Sequence, residues 1–398
     1  MMNKHKTVFV GLSGGVDSSV AALLLKKEGY NVIGAFIKSY NVDGCEEEDA
    51  EYARRAAEKL EIPFYVFDMR EEYFSRVVAE MIDGYRRGIT PNPDVLCNRE
   101  IKFGLFWERA KALGADYIAT GHYARIVRSP DTLAQGVSGA TPKSYPSQGY
   151  RASLYTARDM NKDQTYFLWK LTQEDLEHCL FPIGEYEKPE VRKIAAEAGL
   201  PAAERKDSQG ICFLGKVKLP EFLKKYIAPK KGDIVDTNGK KIGEHDGAWF
   251  YTIGQRHLNA KDVRHPEDVG HPGTNRKPYY VARKDVEKNV IVVAEGESNP
   301  ALYKKEIQLT DVNFISPDFK IPTSKFQILC RVRYRQPLVP AHLLYSDYNI
   351  SYSDYNILKV EFEEPVKFVA PGQSAVFYST DEQTLPAGRQ VLGGGVIC

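Results

Sequence analysis

The feature that most constrains this chain is a glycine-rich string placed between an extended run and a helical one. Thr7-Val-Phe-Val-Gly11 is β-branched and aromatic, and Gly11-Leu-Ser-Gly-Gly-Val-Asp-Ser-Ser19 follows with no linker. Residues 16–28 then read as a helix closed by Gly29. Two adjacent glycines let the backbone turn sharply and approach a ligand closely. Backbone N–H groups at the start of the helix then attract an anion. Ser13 and Ser18 can donate to phosphate oxygens, and Asp17 can hold a magnesium ion or cap the helix. GxxxxGK[ST] is absent, so this is not a Walker loop.

The rest of the first third repeats the strand–helix alternation. Strands are expected at 31–37, 64–67 and 116–120, and helices at 46–60, 71–85 and 98–113. Strands separated by helices imply a doubly wound parallel sheet, α/β in class. Such sheets bind ligands at the carboxyl ends of their strands, where strand order switches. Residues 131–151 are rich in Gly, Ser, Pro and Thr without periodicity and read as an inserted loop. Helical character returns at 173–180 and 189–199. After about Arg205 the segments are short, β-rich and punctuated by glycine, as in small all-β modules. The expected division is therefore 1–205, a catalytic domain; 206–276, a small central β-rich domain; and 277–398, a C-terminal β-barrel. Tyr345-Ser-Asp-Tyr-Asn-Ile-Ser351 is repeated as Tyr352-Ser-Asp-Tyr-Asn-Ile357, a local duplication that lengthens a hairpin loop.

Composition excludes some classes and leaves others open. With 398 residues and 43% hydrophobic content the chain can build two or three cores. Lys+Arg is 54 against Asp+Glu 53, so any nucleic-acid surface must be a local basic stripe. Six dispersed cysteines, with no CxxC pair, fit neither a disulfide scaffold nor a zinc site. No leader and no membrane-length apolar run is visible, so a cytoplasmic protein with reduced thiols is expected.

Two cysteines lie in distinctive strings. In Pro91-Asn-Pro-Asp-Val-Leu-Cys-Asn-Arg-Glu-Ile-Lys-Phe103 the prolines are expected to hold an extended turn, with Asn98 capping the helix that follows. Cys97 would then precede a helix N-terminus, where a thiolate is stabilised, and Asp94 could handle protons. A small apolar cysteine packed under a helix start is the plainer reading. Asp207-Ser-Gln-Gly-Ile-Cys-Phe-Leu-Gly215 carries Cys212 between apolar residues, which by itself reads as a buried strand cysteine.

The phosphate-loop string resembles the SGGxDS loop of the ATP pyrophosphatases. Five further strings follow in order: PNPDVLCNREIKF, Gly121-His-Tyr-Ala-Arg125, Lys162-Asp-Gln-Thr-Tyr-Phe-Leu168, DSQGICFLG and Tyr251-Thr-Ile-Gly-Gln-Arg256. Together, and nearly end to end, they resemble the bacterial tRNA-specific 2-thiouridylases, the MnmA/TrmU family. The resemblance implies an N-terminal nucleotide-binding domain, a small central domain and a C-terminal barrel. It implies ATP and Mg2+ as cofactors, and thiolation of the wobble uridine in the anticodon loop of the tRNAs for lysine, glutamate and glutamine. By position, Gly11, Leu12, Ser13, Gly14, Gly15, Val16, Asp17, Ser18, Ile37 and Gly121 match the ATP site. Asn92, Pro93 and Asp94 match the segment that meets the target base. Cys97 matches the nucleophile and Cys212 the persulfide carrier, and a disulfide between them belongs to the same pattern. His122, Lys162, Asp163, Gln164, Arg333, Tyr334 and Gln373 match tRNA contacts.

The chemistry implied is activation of the uridine 2-oxygen by ATP, followed by sulfur transfer. Either the terminal sulfur of a Cys212 persulfide attacks C2 and Cys97 completes the exchange, or Cys97 liberates sulfide, which attacks. Sulfur would come from a relay protein or from a cysteine desulfurase, to a monomer with no membrane partner. Ile37 and Tyr40 stand where the family usually has Met and Trp. Residues 131–151, 259–276 and 384–390 look expanded, all between motifs. Arg331-Val-Arg-Tyr-Arg335 alternates like a strand and could track a phosphate backbone with three arginines on one face. Two rival readings remain. One is another ATP pyrophosphatase acting on a small molecule; the other is a tRNA-binding protein without catalysis.

Overall fold

The structure is a computed structural model that describes residues 5–42, 44, 46–130, 150–206, 214–215, 217–256, 277–315, 325–344, 358–381, 383–384 and 387–398. The first strand, Thr7–Gly11, buries Val8 and Val10 on one face of a parallel sheet and Phe9 on the other. The sheet has five strands in the order Phe64–Asp68, Asn31–Lys38, Thr7–Gly11, Tyr117–Ala119, Cys179–Leu180. All four pairings are parallel. Strand order reverses between Thr7–Gly11 and Tyr117–Ala119, so the loops after these two strands face one another across the switch point. The helix Val16–Lys27 covers one face with Val16, Val20 and Leu23. On the other face the helical stretches 70–86 and 93–112 pack together, and each contains a π-helical run, Phe74–Val78 and Cys97–Leu105.

The alternation expected for the first third is present. Two elements were not expected. Cys179–Leu180 adds a fifth parallel strand where helix was anticipated. Ala124–Pro130 and Tyr150–Thr156 pair as an antiparallel hairpin that brackets the 131–149 insertion. The second half is β-rich, as expected. Gly232–Val235, Lys241–His245, Tyr279–Asp285 and Val290–Glu295 form one four-stranded sheet. The boundary expected at 276 runs through this sheet, and we place the division between Glu295 and Tyr303 instead. From Tyr303 on, six strands close a barrel whose interior holds Leu309, Ile328, Val360, Phe362 and Phe377. The strand Lys325–Arg331 ends at Arg331, and Arg335 takes a left-handed φ of 66°. Residues 332–336 are therefore a turn, and the expected three-arginine strand face does not form. The duplicated hairpin at 345–357 lies outside the described residues. Among the described residues no helix is long and apolar enough to cross a membrane.

Candidate active site at the sheet switch point

The phosphate loop takes the shape its glycines allow. Gly14 has φ +73°, and a Cβ there would lie 2.3 Å from the Asp49 carbonyl oxygen. Gly15 is the N-cap of the first helix, and no side chain caps it. The Asp17 carboxylate therefore does not cap the helix, and its first turn faces the loop ready for an anion. Leu12 and Val16 are buried. Ser18 is buried too, accepting from the Ser13 N–H at 3.1 Å and donating to the Gly15 carbonyl at 3.2 Å. Its hydroxyl holds the loop in shape, whereas Ser13 is exposed. Across the switch point, Gly121 abuts the helix start so closely that a Cβ would sit 2.6 Å from the Ser18 nitrogen. Ile37 lies half-buried near the carboxyl end of its strand.

Asp17 is engaged in a way the sequence did not suggest. Lys188 Nζ donates to both of its oxygens at 2.8 Å, and the Tyr123 hydroxyl donates to Oδ1 at 3.0 Å. Lys188 opens the helix Lys188–Glu197. A lysine in a first turn opposes the helix dipole, and this misplacement was the available signal of a tertiary partner. Arg205 was also missed. It donates to the Gly14 carbonyl at 3.1 Å, pairs with Asp49 at 2.6 Å and stacks over Tyr52.

Cys97 sits differently from expectation. The helix begins at Pro93, with Asn92 as N-cap, and continues through Cys97. Proline is tolerated at the first helical position because the N–H it lacks would have no intrahelical partner. Asn98 does not cap; its amide donates to the Phe167 carbonyl at 3.1 Å. Cys97 is thus inside the helical stretch, 2% exposed. Burial pushes its thiol above the usual range; Lys102 and a hydrogen bond with Tyr73 pull it down, and nearby Asp94 raises it. Burial thus favours the thiol over the thiolate, in line with the plainer reading of a packed apolar cysteine. Cys97, Cys179, Cys330 and Cys398 are free, which gives no support to a disulfide. Cys212 lies outside the described residues.

The tRNA-contact candidates do not share one surface; Arg333 is half-buried in the 332–336 turn. Lys162, Asp163 and Tyr334 line one cleft of about 420 Å3 with Arg331 and Arg335. Within it, Asp163 is fully buried and accepts from Ala157 N–H, the Thr165 hydroxyl and Arg331. Gln164 pairs with the Tyr123 backbone through its side-chain oxygen, at 2.9 Å. His122 is buried between Phe103 and Phe181, 2.7 Å from the Thr120 hydroxyl. Burial and Lys102 hold it well below the usual imidazole range, so it presents no cation. Gln373 does not join the cleft and reaches the Thr90–Pro91 backbone instead. Among the described residues no cluster of metal-ligating side chains is present.

The sequence matches known proteins along its length. The chain matches the family described as tRNA methyl transferase HUP domain over residues 6–216. It also matches the tRNA methyl transferase PRC-barrel domain over 220–295 and the aminomethyltransferase beta-barrel domain over 304–397. It is 45% identical over 383 residues to a tRNA-specific 2-thiouridylase MnmA of Geobacillus kaustophilus, covering 95% of this chain and 94% of the relative. It is 40% identical over 400 residues to that of Francisella tularensis, covering 99% of each. Among solved structures, an NMN synthetase of Francisella tularensis aligns at 15% identity and TM-score 0.30 over 52% of this chain and 67% of that one, too weak to carry an argument. The domain descriptions say methyl transferase while the full-length relatives are 2-thiouridylases, and identity along the whole chain is the more specific of the two. The chain belongs to the tRNA-specific 2-thiouridylase family.

Proposed function

We propose that this protein is an ATP-dependent tRNA-uridine 2-sulfurtransferase that converts the wobble uridine of tRNA to 2-thiouridine. The observation that carries the reading is the uncapped glycine loop at the sheet switch point, in a chain that matches 2-thiouridylases along its whole length. When bound, ATP supplies the activation, turning the uridine 2-oxygen into a leaving group. The residues present fit its phosphates: the loop turns at Gly14 with φ +73°, no side chain caps the helix that follows Gly15, Ser13 can donate, and Lys188 offers an ammonium beside the loop. They do not fit magnesium at Asp17, whose two oxygens already accept from Lys188 and Tyr123.

In this reading Asn92–Asp94 receives the target base, which must leave the anticodon stack to reach it. Cys97 and Cys212 carry the sulfur chemistry. A Cys212 persulfide gives its terminal sulfur to C2 while the Cys97 thiolate attacks the inner sulfur, leaving a disulfide between the two for an external thiol to reduce. Asp94, three residues before Cys97 on the same helix, is the candidate to take the Cys97 proton. The cleft lined by Lys162, Tyr334 and Arg335 offers cationic and aromatic groups to the RNA. The sulfur donor is a persulfide carrier, either a relay protein or a cysteine desulfurase.

The test is nucleoside mass spectrometry on an unmodified glutamate tRNA incubated with protein, ATP, magnesium, a thiol reductant and a cysteine desulfurase with cysteine as the persulfide source. 2-Thiouridine should form, and should vanish without ATP or in Cys97→Ala. Tight tRNA binding with neither 2-thiouridine nor pyrophosphate release would overturn the reading in favour of a non-catalytic binding protein. Pyrophosphate release driven by a small metabolite without tRNA would favour the other rival.

A further inference from the structure

The loop that leads into Asn92–Asp94 is the place where all three domains meet. On the catalytic side, Pro91 rests on the bare backbone of Gly84, where a Cβ would lie 2.2 Å from its ring. On the central side, a Cβ on Gly88 would lie 2.7 Å from the Val286 side chain. The barrel makes the polar contacts. Thr90 N–H donates to the Pro371 carbonyl at 2.7 Å. The Gln373 amide donates to the Thr90 carbonyl at 2.8 Å and the Pro91 carbonyl at 3.3 Å. Both partners are carbonyl oxygens, so the nitrogen of the carboxamide must face them. Gly372 has φ +89°, and a Cβ there would lie 2.8 Å from the Thr90 nitrogen. The barrel side is itself fixed: Gly372 N–H donates to the Ile397 carbonyl at 2.7 Å, and Ile397 N–H to the Gln373 carbonyl at 2.8 Å.

We propose that Gln373, backed by Gly372, is a positioning residue that holds the Thr90–Pro91 backbone and so sets where Asn92–Asp94 and the helix bearing Cys97 stand. The match to a tRNA contact does not require this role, and a side chain that donates to two backbone carbonyls is committed to the protein rather than to RNA. Placement of the barrel is thereby transmitted to the nucleophile over six residues of chain, from Pro91 to Cys97. A residue outside the chemistry that sets such a placement governs the turnover step more than substrate binding. The catalytic consequence rests on the function proposed above; the mechanical one does not.

The test uses the full chain with Gln373→Met, which keeps length but loses both donors, and separately Gly372→Ala, which drives a methyl group into Thr90. Three readouts are taken. The first is the rate of Cys97 alkylation by N-ethylmaleimide without tRNA or ATP, followed on the Cys97 peptide by mass spectrometry. The second is amide hydrogen exchange at Thr90, and the third is kcat and KM for tRNA. Alkylation and exchange should accelerate in both variants, and kcat should fall about tenfold or more with KM for tRNA little changed. A raised KM for tRNA in Gln373→Met, with alkylation and exchange as in wild type, would make Gln373 an RNA contact and overturn the proposal. Wild-type behaviour of Gly372→Ala in all three readouts would overturn it equally. Should neither variant fold, fast exchange of the Thr90 amide in the wild type still refutes the clamp and slow exchange supports it. Absence of 2-thiouridine in the wild type would sink the proposed function while the alkylation and exchange results still decide the clamp.

Discussion

Lys188 is badly placed for its own helix and well placed for Asp17. An aspartate in a phosphate loop repels the anion that the loop is built to hold, and the ammonium 2.8 Å from both oxygens offsets that charge. Lys188→Met should weaken ATP binding about tenfold, a loss of ~1.4 kcal/mol. It should also lower stability, because Asp17 loses the ammonium that donates to both of its oxygens. Adding Asp17→Asn should recover part of that stability. Thermal melts of the two single variants and the double variant measure the coupling; strictly additive effects would show that the pair does not act as a unit. Cys97 yields a pH prediction. Its thiol is raised by burial, so alkylation in the absence of substrates should inflect above the ordinary cysteine value of about 8.5. The folded protein holds this proton more tightly than the unfolded chain, so its contribution to stability is complete below the unfolded thiol's pKa and is lost as pH rises through the folded one. Denaturant titrations of wild type and Cys97→Ala across that range should converge as pH rises. An alkylation profile that inflects near neutrality would instead mean an activated thiolate at rest.

Between elements, the buried pair of Asp163 and Arg331 ties the Lys162–Gln164 segment to the end of a barrel strand. Their side chains are 0% and 7% exposed and 3.3 Å apart. Burial raises the Asp163 carboxyl, against the pull of Ala157 N–H, Thr165 and Arg331. Arg331→Met should cost roughly 3 kcal/mol in a denaturant titration, since it strands a buried carboxylate. Arg331→Met with Asp163→Asn should cost less, and equal losses would mean that the carboxyl is already neutral. This pair also marks where reading the sequence stops. Strands and helices of the first 120 residues were legible because period, glycine closure and apolar runs agree within each segment. Cys179–Leu180 was hidden because two residues carry no period, and its strand character comes wholly from pairing with Ile118 and Ala119. The Ala124–Pro130 hairpin was hidden because its two halves are split by the insertion. Arg331–Arg335 alternates like a strand, yet Arg335 adopts positive φ and Arg331 turns inward to a partner 168 residues away. The phosphate loop was legible as a string, while Lys188, Arg205 and Tyr73 were not, since each acts through a contact that only the fold creates. The π-helical run at Cys97 is invisible to a 3.6-residue period, and the helix starts back at Pro93 because a proline is tolerated at the first helical position.

At the scale of the whole molecule, the catalytic domain and the barrel share a core although each has its own sheet. Trp169, fully buried, donates through Nε1 to the Ser374 hydroxyl at 2.9 Å, and Tyr166 donates to the Ser374 carbonyl at 3.0 Å. Gly394 of the barrel passes so close that a Cβ would lie 2.8 Å from the Trp169 ring. Asn313 donates to the carbonyls of Trp169 and Leu171 at 2.7 and 3.1 Å, and Gln173 to that of Ile315 at 3.1 Å. A buried Trp removes on the order of 200 Å2 from water, which at ~25 cal/mol per Å2 is about 5 kcal/mol. That is comparable to the whole stability of a marginal domain. The two bodies should therefore unfold together. Calorimetry of the intact chain should show one transition spanning catalytic domain and barrel, and Gly394→Val, which thrusts a branched side chain at Trp169, should lower it as a whole. A fragment ending at Glu295 should show red-shifted tryptophan emission and aggregate, despite retaining every residue of the phosphate loop and Cys97. Two separate transitions, or a soluble fragment with native emission, would mean that the barrel is an appended RNA-binding module. It would then not be the wall against which the catalytic segment is set, and the coupling through Gln373 would lose its mechanical basis.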